Sequence, residues 1–114
     1  MKAAMLISTK QFDALAEELL DADQLAELEF SLAINPIAHP VIPGTNGVRK
    51  ARWSRTGMGK RGGIRVIYFY AIRAEVILLL AAYTKNRKDN LSDADKKAIR
   101  RAVEAFEKAL ESRR

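Results

Sequence analysis

The chain has 114 residues, a net charge of +6 and no cysteine, and 48% of its residues are apolar. This length suits one compact domain over residues 1–114, and the apolar fraction is too high for a disordered chain. The lack of cysteine excludes disulfide bonds, thiolate zinc sites and a cysteine nucleophile. No apolar run approaches the roughly 20 residues of a membrane span or forms the core of a signal peptide. We therefore expect a soluble cytoplasmic protein.

The charges are distributed unevenly along the sequence. Residues 1–47 hold two basic and seven acidic side chains, residues 48–88 hold eleven basic and one acidic, and residues 89–114 hold seven basic and six acidic. The +10 of the middle segment destabilises a compact fold unless a polyanion or an acidic partner neutralises it. The alternative interpretation is a basic face that serves only solubility.

The N-terminal third predicts a strand followed by two helices. Residues 5–7 form a short apolar run typical of an edge strand. Ser8 or Thr9 can cap a first helix, in which apolar residues recur every three or four positions. Asp21 opens a capping-box pattern for a second helix, which ends before Pro36 because the residue preceding proline avoids helical backbone.

The rest of the chain predicts a loop, three strands and a helix. All three prolines lie in residues 36–47, which we interpret as a loop. A period of two begins at Val48, and a glycine-rich turn occupies residues 56–63. A short connection at residues 71–74 predicts a hairpin, and Ser92 caps a final helix. The strands are predicted at residues 48–55, 64–70 and 75–83. The predicted order is β-α-α-β-β-β-α.

Four motifs occur together in the middle of the sequence. They are the basic strand VRKAR from Val48, the loop GKRGG from Gly59, the strand GIRVIY from Gly63 and the strand end YTKN from Tyr83. Any one of them alone would be a weak signal. Together they resemble the RelE/HigB toxins of bacterial type II toxin–antitoxin systems, in the RelE/ParE superfamily, and most closely the HigB-like branch.

The resemblance implies a fold, an activity and a partner. The fold is α+β, a small twisted antiparallel sheet with two N-terminal helices on one face and a C-terminal helix. The activity is ribosome-associated cleavage of mRNA without a metal or other cofactor. In that reaction the RNA 2′-OH attacks the adjacent phosphate and leaves a 2′,3′-cyclic phosphate and a 5′-OH. The partners are mRNA on the ribosome and a cognate antitoxin, of helix-turn-helix type, with no membrane involved.

This chemistry needs a proton acceptor, a proton donor and cations that stabilise the phosphorane oxygens. Arginine suits the last task because its planar fork binds two phosphate oxygens at once. The catalytic candidates that the resemblance implies are Lys50, Arg52, Arg65 and Lys85. Lys85 would bind phosphate or accept a proton. Lys60, Arg61, Asn86 and Arg87 lie where the family places further RNA contacts.

The acid–base pair is not evident from the sequence. The single histidine, His39, lies in the proline-rich loop, and we interpret it as a solvated residue rather than a catalyst. We assign Tyr68 and Trp53 to the core, since aromatic residues commonly fill the buried side of a sheet. Tyr83 adjoins Lys85, so it either packs in the core or stacks on an RNA base and counts as a candidate RNA contact.

Two other functions remain open on the same evidence. A ParE-like protein would keep the fold and poison DNA gyrase, but that branch generally lacks a basic catalytic cluster. A non-catalytic nucleic-acid-binding accessory protein would use the cations for affinity alone. Growth arrest with mRNA loss, arrest with DNA damage, or no arrest would separate the three on expression.

Overall fold

A computed structural model describes residues 3–54, 63–84 and 90–112. The elements are β1 (Met5–Ser8), α1 (Lys10–Leu19), α2 (Ala22–Ile34), β2 (Arg49–Ser54), β3 (Gly63–Ala71), β4 (Val76–Thr84) and α3 (Asp93–Glu111). The predicted α+β class and order of elements are confirmed. Most of the predicted glycine-rich turn at residues 56–63 lies outside the described ranges, and the assignment of residues 1–114 to one domain stays a prediction.

Local sequence signals set where the helices begin. The Thr9 hydroxyl accepts a hydrogen bond from a backbone N–H in the first turn of α1 at 3.1 Å. Asp21 and Gln24 exchange side-chain and backbone hydrogen bonds at 2.8 and 3.0 Å, which confirms the capping box of α2. Ser92 caps α3 by the same reciprocal arrangement. These caps satisfy backbone N–H groups that have no partner inside the helix.

The four strands form one sheet in the order β1-β4-β3-β2. The pairs β2–β3 and β3–β4 are antiparallel, as expected, and β1 is the predicted edge strand. However, β1 runs parallel to β4, so the sheet is mixed. No hairpin turn joins β1 to its neighbour, because two helices and two further strands separate them, and its direction is therefore not set by a local connection.

Each face of the sheet packs against different helices. The larger core lies between the sheet and the helices α1 and α2, which confirms their expected placement on one face. We call this side the helix-pair face; its buried residues include Phe12, Ala16, Leu28, Leu32, Ala51, Ile64, Val66, Tyr68, Ile77, Leu79 and Ala82. The smaller core lies under α3. We call that side the α3 face; its buried residues are Val48, Ile67, Phe69, Leu78, Leu80 and Val103.

A bulge interrupts the pairing of β3 with β4. Ile67 lies opposite Ala81, but the next residue of β3, Tyr68, lies opposite Leu79, so Leu80 is an extra residue. The backbone oxygen of Leu80 accepts a hydrogen bond from the Thr9 hydroxyl at 3.1 Å. A bulge of this kind reverses the alternation of side chains beyond it. As a result, Ala81 and Tyr83 point to the α3 face.

The loop between α2 and β2 is held in place by polar contacts. Thr45 is buried, and its hydroxyl donates to the Ile42 backbone oxygen at 2.6 Å and accepts from the Val48 N–H at 3.2 Å. The guanidinium of Arg100 on α3 donates to the Gly44 backbone oxygen at 2.6 Å. The loop is therefore fixed against both β2 and α3. Among the helices described, none is long and apolar enough to cross a bilayer.

Candidate nucleic-acid interface

Three predicted catalytic cations lie on one face of the sheet. Arg52 on β2 lies directly opposite Arg65 on β3, and Arg65 lies opposite Tyr83 on β4. Directly opposite residues in antiparallel strands have Cβ atoms about 4.5–5.5 Å apart. Lys50 precedes Arg52 by two residues and therefore projects from the same face. We call Lys50, Arg52 and Arg65 the basic patch.

The basic patch lies on the α3 face, beside the core that α3 covers. Lys50 is paired with Ile67, a member of that core, whereas the row of Arg52, Arg65 and Tyr83 lies one step further along the strands. This is the end of the sheet where β2 and β4 finish and β3 begins. The other predicted site residues, Lys60, Arg61, Lys85, Asn86 and Arg87, lie outside the described residues.

Arg52 and Arg65 place two positive charges side by side in the patch. Arg65 is only 7% exposed, and its Nε atom is buried, while the neighbouring Arg52 is exposed. Like charges directly opposite each other in a sheet are destabilising, and the repulsion grows as water is excluded. A bound phosphate would turn this repulsion into attraction, because its oxygens can accept hydrogen bonds from two guanidinium groups.

Tyr83 packs as a partly buried member of the α3-face core. Its hydroxyl oxygen is buried, and the residue lines a cleft of about 390 Å³ between the start of α1, the end of β4 and α3. This packing favours the core alternative for most of the ring. The position of Tyr83 opposite Arg65 nevertheless keeps it beside the patch, and its role as an RNA contact stays a prediction.

The basic residues of β2 do not all converge. Arg49 lies opposite Tyr68 on the helix-pair face, and its Nη1 atom donates to the His39 backbone oxygen at 2.7 Å. Trp53 also packs against the larger core, and Tyr68 is fully buried, as predicted for both aromatic residues. Arg49 therefore holds the preceding loop in place and lies across the sheet from the basic patch.

His39 is partly exposed, and its ring also packs against the fold. Its ring meets that of Tyr68 edge to face, with centroids 6.2 Å apart and planes at 89°. The pKa of His39 is lowered, mainly by burial and further by the charge of Arg49. Burial raises the pKa of Tyr68, whose hydroxyl donates to the Pro36 backbone oxygen at 2.8 Å. Because Tyr68 points to the helix-pair face, His39 lies on the side away from the basic patch.

We expect His39→Gln to reduce the loss of stability at acidic pH. When the pH falls from about 6.5 towards the lowered pKa, the unfolded chain binds a proton that the folded chain does not. The free energy of unfolding of the wild type therefore decreases over this interval. Urea unfolding at pH 7.5 and 5.5 should show a smaller decrease for the variant. An identical decrease in the free energy of unfolding of both proteins would contradict a lowered pKa of His39.

The patch has the chemistry of an anion site. Among residues 3–54, 63–84 and 90–112, no three histidine, aspartate or glutamate residues lie close enough to hold a metal ion. The patch itself consists of cationic donors, which attract phosphate oxygens and repel metal ions. Independence from metal in the proposed reaction stays a prediction.

A second cleft, which the sequence does not reveal, adjoins the patch. It has a volume of about 260 Å³ and is lined by Lys50 together with Lys96 from the first turns of α3. Lys96 lies three residues before Ile99 and seven before Val103, so helical spacing places it beside the apolar side of α3, unlike Lys97. Only the packing of α3 on the sheet shows that this side of the helix meets the patch.

Comparisons with known proteins identify the family of the chain. The RelE toxin model of the RelE/RelB toxin–antitoxin system matches residues 6–113. The chain is also similar to a free, double arginine-to-alanine variant of the Escherichia coli toxin RelE. The TM-score is 0.53 with 16% sequence identity, covering 76% of this chain and 88% of that one. That likeness shows the fold, and the HigB-like branch stays a prediction. The family match across nearly the whole chain shows that this protein belongs to the RelE toxin family of RelE/RelB toxin–antitoxin systems.

Proposed function

We propose that the protein is a metal-independent endoribonuclease that cleaves mRNA on the ribosome in the cytoplasm. The observation that carries this proposal is the direct opposition of Arg52 and Arg65, with Lys50 on the same face. Two guanidinium groups side by side can donate hydrogen bonds to the oxygens of one phosphodiester. Membership of a toxin family supports a role in which that phosphodiester belongs to RNA.

The proposed reaction assigns the patch to charge stabilisation. Arg52 and Arg65 donate hydrogen bonds to the non-bridging oxygens of the scissile phosphate, and these bonds strengthen as negative charge develops in the phosphorane. Lys50 supports the same charge from the adjacent position. The RNA 2′-OH loses its proton and forms the new bond to phosphorus, and the bond to the 5′-oxygen breaks as that oxygen takes up a proton. Lys85 remains the proposed proton acceptor or further phosphate ligand.

The antitoxin would act on the same surface. We propose a partner that is acidic or presents an apolar helix and strand, so that it covers or distorts the basic patch. The partner is further proposed to carry a helix-turn-helix domain. A partner that binds the folded toxin at the patch should also stabilise the toxin against unfolding.

A purified translation system tests the proposal. Added protein should cut a ribosome-bound message in the presence of enough EDTA to remove free zinc but not magnesium, and the products should carry 5′-OH and cyclic phosphate ends. An intact mRNA, together with loss of DNA gyrase supercoiling in a separate assay, would instead support the ParE-like alternative. An intact message with unaffected gyrase would leave only nucleic-acid binding, and either result would overturn the proposal.

A further inference from the structure

The cleft between the proline-rich loop, β2 and α3 has the features of a small binding site. Two prolines of the loop, Pro40 and Pro43, form part of its lining. Asn90 and Leu91, just before α3, and the lysines Lys50 and Lys96 also line the cleft. Its volume of about 260 Å³ is below the roughly 300–1,000 Å³ of pockets that enclose drug-sized ligands. The size suits one base or one ribose phosphate.

The walls of this cleft are held by contacts already described. The Lys50 N–H donates to the Pro40 backbone oxygen at 3.1 Å, and Arg100 anchors the other end of the loop at Gly44. α3 is fixed on the sheet by the fully buried Val103. The cleft is therefore formed in the free protein, and a ligand would not have to order it.

The composition of the lining selects a particular class of ligand. Two ammonium groups attract a phosphate, and an apolar wall of proline and leucine carbon removes the face of a base from water. Asn90 adds an amide that can donate to and accept from the edge of a base. Lys50 belongs to both the cleft and the basic patch, so a ligand in the cleft would be contiguous with the scissile phosphate.

We propose that this cleft binds the nucleotide next to the cleavage point, with Lys96 holding its phosphate and the base lying against the apolar wall. The inference rests on the proposed function and adds to it a path for the RNA strand across the protein surface. The strand would leave the row of Arg52 and Arg65, pass Lys50 and continue towards the start of α3.

Two adjacent lysines on α3 provide a matched test. Lys96 is partly buried and lines the cleft, whereas Lys97 is exposed and does not appear in its lining. Both variants remove one positive charge from the same helical turn. We would measure binding of a fluorescent eight-nucleotide RNA, fully 2′-O-methylated to prevent cleavage, by anisotropy at several salt concentrations. Thermal unfolding would verify that each variant is folded.

Lys96→Ala should raise the dissociation constant about three- to tenfold, and the salt dependence should decrease by about 0.7 in slope, the value for one phosphate contact on a single strand. Lys97→Ala should stay within about twofold of the wild type. Equal effects of the two substitutions, or no binding by the wild type, would overturn the inference. Weakened antitoxin binding with unchanged RNA binding would assign the cleft to an acidic protein and would also overturn it.

The outcome separates this inference from the proposed function. Cleavage in the translation system without a selective effect of Lys96→Ala would support the nuclease activity and contradict nucleotide binding in the cleft. A selective effect on RNA binding without any cleavage would support the cleft as an RNA-binding site and contradict the nuclease activity.

Discussion

Replacing Arg65 by alanine is expected to reduce mRNA cleavage more than tenfold while the protein stays folded. Arg65 occupies the centre of the row that also contains Arg52 and Tyr83, so it can contact the phosphate from the middle of the patch. Loss of a preorganised donor to a developing oxyanion commonly costs about 100- to 1,000-fold in rate. The expected decrease is therefore well above the scatter of a cleavage assay in a purified translation system.

Two further variants make this result specific. Arg73→Ala removes an equal charge from the exposed turn between β3 and β4, at the opposite end of the sheet, and should leave cleavage unchanged. Arg65→Lys keeps the charge but loses the fork that binds two oxygens, so its rate should fall between those of the wild type and the alanine variant. Wild-type cleavage by a folded Arg65→Ala protein would remove Arg65 from the site.

Leu79→Ala is expected to lower the free energy of unfolding by about 2–5 kcal/mol. Leu79 is fully buried in the larger core and lies opposite Tyr68, where the sheet meets the helix pair. Truncation removes apolar contacts and leaves a cavity that the surrounding strands and helices can fill only in part. Urea unfolding measured at one pH would give the difference directly.

The control for Leu79 is an exposed residue of similar size. Ile72, in the turn after β3, is 67% exposed. Ile72→Ala should change the free energy of unfolding by less than about 0.5 kcal/mol. If both substitutions had the same small effect, Leu79 would not belong to a tightly packed core, and the described packing of the helix-pair face would be wrong.

The helices and strands could be predicted from the sequence because each depends on a pattern of residues within a short segment. Asp21 and Gln24 are three residues apart, so the capping box depends on nothing outside one helical turn. The alternation from Val48 onwards likewise predicts that Trp53 and Lys50 face opposite sides of β2, as found. The parallel pairing of β1 depends on contacts between distant residues, and no local pattern contains that information.

The candidate site was accessible only in part. A period of two places Lys50 and Arg52 on one side of their strand, but the family resemblance was needed to join them to Arg65. The contact of the His39 ring with Tyr68, 29 positions later in the sequence, was not accessible from the loop's own residues. Lys96 reaches the neighbourhood of the patch through the packing of a whole helix, which single-residue patterns do not encode.

The extra residue at Leu80 divides β4 into two halves of opposite phase. Before it, even-numbered side chains such as Leu78 face α3; after it, odd-numbered ones such as Tyr83 do. A strictly regular strand that kept Leu79 opposite Tyr68 would have brought Ala82 opposite Arg65 and turned Tyr83 to the helix-pair face. The extra residue therefore puts an aromatic ring, in place of a methyl group, beside the two arginines, and a deletion of Leu80 that removed the bulge would leave Tyr83 opposite Arg65.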